Sequence, residues 1–138
     1  MLTLLNETAG VAVDLLEKNG CIVPFCKART TTEESLYIQA GDKDEDTPYS
    51  DEDLQRCADS IWVELKRRIA AGEVLEFAFC SDSIVKFQHE TDHRRVLKIE
   101  FQNGTNESAV YFFPLSVENG KVQLAPKYLQ GDLPEKLL

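Results

Sequence analysis

The period-two apolar pattern of the second half restricts the fold most. Leu75, Phe77 and Phe79 alternate within Val74 to Cys80, Leu97, Ile99 and Phe101 repeat the pattern, and Ala109 to Leu115 and Lys121 to Leu124 follow. That period sends alternate side chains to opposite faces of an extended strand, so each segment buries one face. Asn103-Gly104 and Asn119-Gly120 stand where the chain must reverse, and Asn-Gly supplies the positive φ angles that tight hairpin turns need. Strands joined by tight turns pair antiparallel, which predicts a meander. Ile84 to Phe87 would continue the first strand past a bulge near Ser81-Asp82-Ser83.

The first half supplies helices. Leu5, Ala9, Ala12, Val13 and Leu16 recur at helical spacing, and Asn19-Gly20 gives the stop expected after a last turn. Cys21 to Lys27 contains Pro24, which suits an edge or bulged strand, and Thr32 to Ala40 alternates around Leu36 and Ile38 as its partner. Ser50 and Asp53 have capping-box spacing, with Asp in place of the usual Glu. Leu54, Cys57, Ala58, Ile61, Trp62, Leu65 and Ile69 then form one stripe that Gly72 ends. The expected fold class is therefore α+β, in the order α-β-β-α-β-β-β. A mainly antiparallel sheet of five to six strands would carry two main helices on one face. A chain of 138 residues that is 43% hydrophobic suffices for one core, so residues 1–125 are expected to form a single domain and 126–138 a C-terminal tail.

Charge narrows the partners. The formal net charge is -9, and between Glu33 and Asp53 nine acids meet one base, so nearly all the excess acidity lies in one stretch. Nucleic acid and anionic membrane surfaces are disfavoured, because both demand concentrated Lys and Arg. The clusters Lys66-Arg67-Arg68 and His93-Arg94-Arg95 fall at a helix C-terminus, where cations are favoured, and at a strand start. The N-terminus has no basic region followed by an apolar run, so the expected compartment is the cytoplasm. Cys21, Cys26, Cys57 and Cys80 lack C-x-x-C spacing and read as reduced thiols.

A helix ending at Gly20, the pattern Gly20-x-x-x-Pro24-Phe25, an acidic connection, an amphipathic helix and a meander reaching Phe113-Pro114 together carry a resemblance. This layout resembles certain small bacterial proteins without assigned activity, some of them similar to the immunity proteins that accompany polymorphic toxins. It spans about residues 1–115 and implies a small acidic α+β binder, with no catalytic residues to carry over. The element order is also similar to roadblock or profilin-like modules, although a clear closing helix after the last strand is not evident here.

Three constellations invite chemistry. His89-Glu90-Thr91-Asp92-His93 matches H-E-x-x-H, which in zinc hydrolases needs both imidazoles on one helix face. Its flanks, Ile84 to Phe87 and Val96 to Ile99, look extended, and two His four residues apart on a straight strand would stand about 13 Å apart, so a polar hairpin tip is expected instead. Asp42-Lys43-Asp44-Glu45-Asp46 alternates carboxylates like a calcium loop. Thr47 then stands where the sharp turn needs Gly, and Asp53 where a bidentate Glu belongs, so no metal site is assigned. Pairing Cys80 with His89 fails because an apolar strand raises a thiol's pKa. No G-x-S-x-G, P-loop or dinucleotide fingerprint occurs, so no catalytic residue and no cofactor is assigned.

The leading expectation is a non-enzymatic interaction protein that docks a basic protein partner through Asp42, Asp44, Glu45, Asp46, Asp51 and Glu52. An immunity or antitoxin-like role is the form the resemblance implies. The alternative is a small-molecule module with a pocket between the Trp62 helix and the sheet, lined by Trp62, Phe77 and Phe79. A zinc hydrolase through His89, Glu90 and His93 ranks third. Exposed sheet edges such as the Pro24 strand would allow a homodimer.

Overall fold

The computed structural model describes residues 2–39, 50–85, 91–104, 108–124 and 129–131. Helix α1 spans Leu2–Asn19, strands β1 and β2 span Phe25–Thr30 and Ser35–Gln39, and helix α2 spans Asp51–Ala70. Strands β3 (Val74–Val85), β4 (Arg94–Asn103), β5 (Ser108–Glu118), β6 (Lys121–Leu124) and β7 (Leu129–Gly131) follow. Among the described residues the strands form one antiparallel sheet in the order β2-β1-β3-β4-β5-β6, with β7 also beside β5. This is the expected α+β class, and the order matches through β5; two strands then extend it, β6 from the expected Lys121 to Leu124 segment and β7 from the tail.

Local signals explain the elements that came out as expected. Ser50 Oγ accepts the Asp53 N–H at 3.1 Å while Asp53 Oδ2 accepts the Ser50 N–H at 2.9 Å, so the capping box is complete. Gly20 and Gly72, each with φ of 75°, take the left-handed conformation after the helices. Asn119 (φ 52°) and Gly120 (φ 77°) make the β5–β6 hairpin with two consecutive positive φ angles.

The helices do not share one face, contrary to expectation. In β3, Ala78 and Cys80 pack into the core that contains Leu5, Ala12 and Leu16 of α1, whereas Phe77 and Phe79 pack with Ile61 and Leu65 of α2. Adjacent residues of a strand point to opposite faces, so α1 and α2 cover opposite sides of the sheet. The cause is that β1 and β3 are apolar at both parities: Phe25, Cys26, Ala28, Phe77, Ala78, Phe79 and Cys80 are all buried. Residues this small and apolar on the second face let a helix approach there too.

Two further expectations are corrected. The strand with Pro24 is not an edge, because Pro24 precedes β1, whose ladder begins at Phe25 and runs between β2 and β3. The homodimer surface proposed for it is therefore already paired. No bulge interrupts Ser81-Asp82-Ser83; β3 keeps unbroken register with β4 from Glu76 to Val85, and the one irregularity lies in β1 between Arg29 and Thr30. Polar side chains there end no strand because Asp82 has a partner on the α1 side, described next. Residues 129–131 of the expected tail pair with Val110 to Phe112 of β5.

Polar clamps fix α1 to the sheet. Arg95 Nε donates to Asp82 Oδ1 at 3.0 Å, and Arg95 Nη2 donates to the Gly20 carbonyl at 3.0 Å, tying the end of α1 to the β3–β4 hairpin. At the far side of the sheet, Glu17 Oε1 accepts the Val122 N–H at 3.0 Å. Pro114 lies between the parts of β5 that pair with β7 and with β6, so its missing N–H forfeits no ladder bond on that edge.

Replacing Ser50 with Ala removes one half of the capping box. Urea unfolding should show a loss of about 1 kcal/mol, with an unchanged denaturant slope.

Candidate functional site

The candidate site lies under the first half of α2. Trp62 stacks on Phe79 with ring centroids 4.4 Å apart at 10°, and meets Phe77 edge-on at 5.9 Å and 89°. Trp62 and Phe79 form part of the lining of a cleft of about 340 Å³ between α2 and the sheet. Pro24, Leu54 and Ala58 add apolar lining, and Asp51, Gln55, Ser81, Asp82, Ser83, Lys98 and Glu100 add polar lining. Of the three aromatic residues expected at a pocket, Trp62 and Phe79 line it, whereas Phe77 is fully buried and does not.

The acidic residues divide. Asp42, Asp44, Glu45 and Asp46 lie outside the described residues. Asp51 and Glu52 occupy the exposed first turn of α2, and neither makes an ion pair among the described residues. Asp53, by contrast, is buried; it serves the cap and accepts from Arg56 Nη2 at 2.6 Å.

The sequence reading missed Ser81, Ser83, Lys98 and Glu100. Ser81 and Ser83 share the parity of Phe77 and Phe79, and register places Lys98 opposite Ser81 and Glu100 opposite Phe79. Polar residues continuing the parity of an apolar face were the available signal, and the expected bulge broke that count. A serine opposite a lysine invites comparison with nucleophilic catalysis, which needs a base able to take the hydroxyl proton. Lys98 Nζ is instead committed to Glu100 Oε1 at 3.0 Å, and Ser81 has no base among the described residues.

The other chemical candidates fare no better. Residues 91–93 are non-helical, Ile84 and Val85 end β3, and Arg94 opens β4, so H-E-x-x-H has no helix to sit on. His93 is exposed, whereas His89 and Glu90 lie outside the described residues. No group of three or more His, Cys, Asp or Glu able to hold a metal occurs among the described residues. No helix among them is long and apolar enough to cross a membrane.

The basic clusters are engaged within the chain. Glu64 accepts from Arg67 Nη2 and from Arg68 Nε, each at 2.7 Å, and these hydrogen bonds bring its carboxyl down to about 2. Arg95 pairs with Asp82. All four cysteines are free: Cys21 is exposed while Cys26, Cys57 and Cys80 are buried. Burial pushes the Cys26 and Cys80 thiols well above their usual range, which makes them poor nucleophiles.

Two measurements test this electrostatic picture. A disulfide reagent should titrate Cys21 alone in the native protein and all four thiols in denaturant. Because the Glu64 value is lowered on folding, the contribution of its pairs is present above its ordinary value of 4.5 and is lost as the pH falls through about 2. An NMR titration of the side-chain carboxyl should place its midpoint below those of the unpaired glutamates. Comparison with protein-family models, with curated proteins and with solved structures finds no match.

Proposed function

We propose that this chain is a non-enzymatic interaction protein that docks a basic protein partner through its acidic face. That face comprises the acids of residues 42–46 together with Asp51 and Glu52. The observation that carries this reading is the adjacency of unpaired charge and apolar surface. Asp51 and Glu52 are exposed and without ion-pair partners among the described residues, and Asp51 borders the cleft formed by Trp62, Phe79 and Leu54. Charge of one sign accelerates encounter, while desolvated apolar contacts beside it supply affinity. The specific form of this role is immunity or antitoxin-like, with the acidic face covering a basic surface of a toxin; the resemblance in layout supports that form.

A small-molecule module is the second reading, favoured by the Trp62–Phe79 stack at the cleft. A native mass spectrum of freshly purified protein separates the two, since a bound small molecule adds a discrete mass that disappears on denaturation.

The docking reading is tested by low-salt capture of partners followed by association kinetics. Replacing Asp44, Glu45 and Asp46 together with Ser should slow association about tenfold or more at low salt and leave dissociation little changed. An association rate equal to that of the parent protein, or one insensitive to salt, would overturn it.

A further inference from the structure

The docking reading leaves open what enters the cleft, and the inference that follows rests on that reading. The charges at the cleft do not balance. Two carboxylates, Asp51 and Glu100, line it beside one ammonium, Lys98, while the Asp82 side chain turns to the α1 face of the sheet. Lys98 is held by Glu100, and Asp82 is held by Arg95 from the α1 side of the sheet. Asp51 is left without a cation among the described residues. One positive charge would complete the set.

The remaining lining specifies the shape of that cation. Trp62 stacked on Phe79 gives the cleft an aromatic surface, and aromatic rings attract cations, planar guanidinium groups above all. The opposite wall, on β3, carries the Ser81 and Ser83 hydroxyls two residues apart on one strand face, neither with a hydrogen-bond partner among the described residues. These hydroxyls and the Asp51 carboxylate form a spread of acceptors on two elements, which suits a group with five fixed N–H donors better than a compact ammonium. Pro24, Leu54 and Ala58 offer apolar contact to an alkyl stem. A volume of about 340 Å³ takes one long side chain rather than a folded element.

An anion is a poor occupant even though a helix starts here. The amides of Asp53 and Leu54 are already bound to Ser50, and the carboxylates of Asp51 and Glu52 oppose a negative ligand.

We infer that the cleft between α2 and the sheet seats a single arginine side chain of the basic partner, its guanidinium against Trp62 and paired with Asp51. The arginine joins the charge of Asp51 and Glu52 to the apolar contacts that set affinity.

Trp62 is the only tryptophan of the chain, so one indole N–H signal in a nitrogen–proton correlation spectrum reports the cleft. The probe is a capped glycine pentapeptide with arginine at its centre, titrated at low salt against matched peptides carrying lysine or the neutral isostere citrulline. The arginine peptide should shift the Trp62 signal saturably, the lysine peptide should bind several-fold more weakly, and the citrulline peptide should leave the signal in place. Asp51→Asn should weaken the arginine peptide about three- to fivefold, as expected for one exposed charge pair. Because Asp51 is exposed and lies outside the capping box, the rest of the spectrum verifies that the variant is folded. An unmoved Trp62 signal, equal shifts from arginine and citrulline or from arginine and lysine, or an Asp51→Asn protein that binds like the parent would each overturn the inference. None of these results alters the association kinetics of the triple serine variant, so failure of the arginine seat and failure of the docking reading are told apart.

Discussion

Burial of both faces of β3 is the constraint on which the rest of the molecule depends. A strand with buried side chains at Phe77, Ala78, Phe79 and Cys80 needs a covering layer on each side. Helix α1 supplies one with Leu5, Ala12 and Leu16, and α2 supplies the other with Ile61 and Leu65. Full burial of a leucine-sized side chain is worth roughly 1.5–3 kcal/mol, so these positions outweigh any surface ion pair in the molecule. Among the described residues the two cores lie on opposite faces of the sheet. The cleft forms on the α2 side where polar Ser81, Ser83, Lys98 and Glu100 succeed the aromatic surface.

Much of this could be read from the chain, and what could not has physical reasons. Asn119-Gly120 marked a hairpin because few residues tolerate two consecutive positive φ angles, and Ser50 with Asp53 marked a helix start because reciprocal capping fixes the spacing. The placement of the helices was hidden. Beside Phe77 and Phe79, Ala78 and Cys80 look like the small residues of an outer face, and their full burial follows only from a helix that the alternation does not announce. Pro24 suggested an edge because a missing N–H weakens a ladder, yet it lies one residue before the ladder begins. Ser81-Asp82-Ser83 suggested a break because polar runs end strands, but Arg95, across the β3–β4 hairpin, gives Asp82 a partner.

The candidate site was legible in part for the same reason. Trp62 and Phe79 stood out by periodicity as aromatic residues facing each other across α2 and β3. Their polar neighbours depend on register between β3 and β4, which pairs Ser81 with Lys98 through a connection whose length a sequence pattern does not fix. The acidic stretch stood out by charge alone, and only its last members, Asp51 and Glu52, fall within the described residues.

The outer edge of β5 carries a final consequence. It is shared by two short strands, β7 along Val110 to Phe112 and β6 along Leu115 to Glu118, with Pro114 in the interval. Fibre growth by strand addition requires a long free border at both ends of a sheet. Here one border is broken into pieces of three and four residues around a residue that cannot donate. Among the described residues, an incoming strand would find on this side only short segments, which works against extension of the ladder from that border.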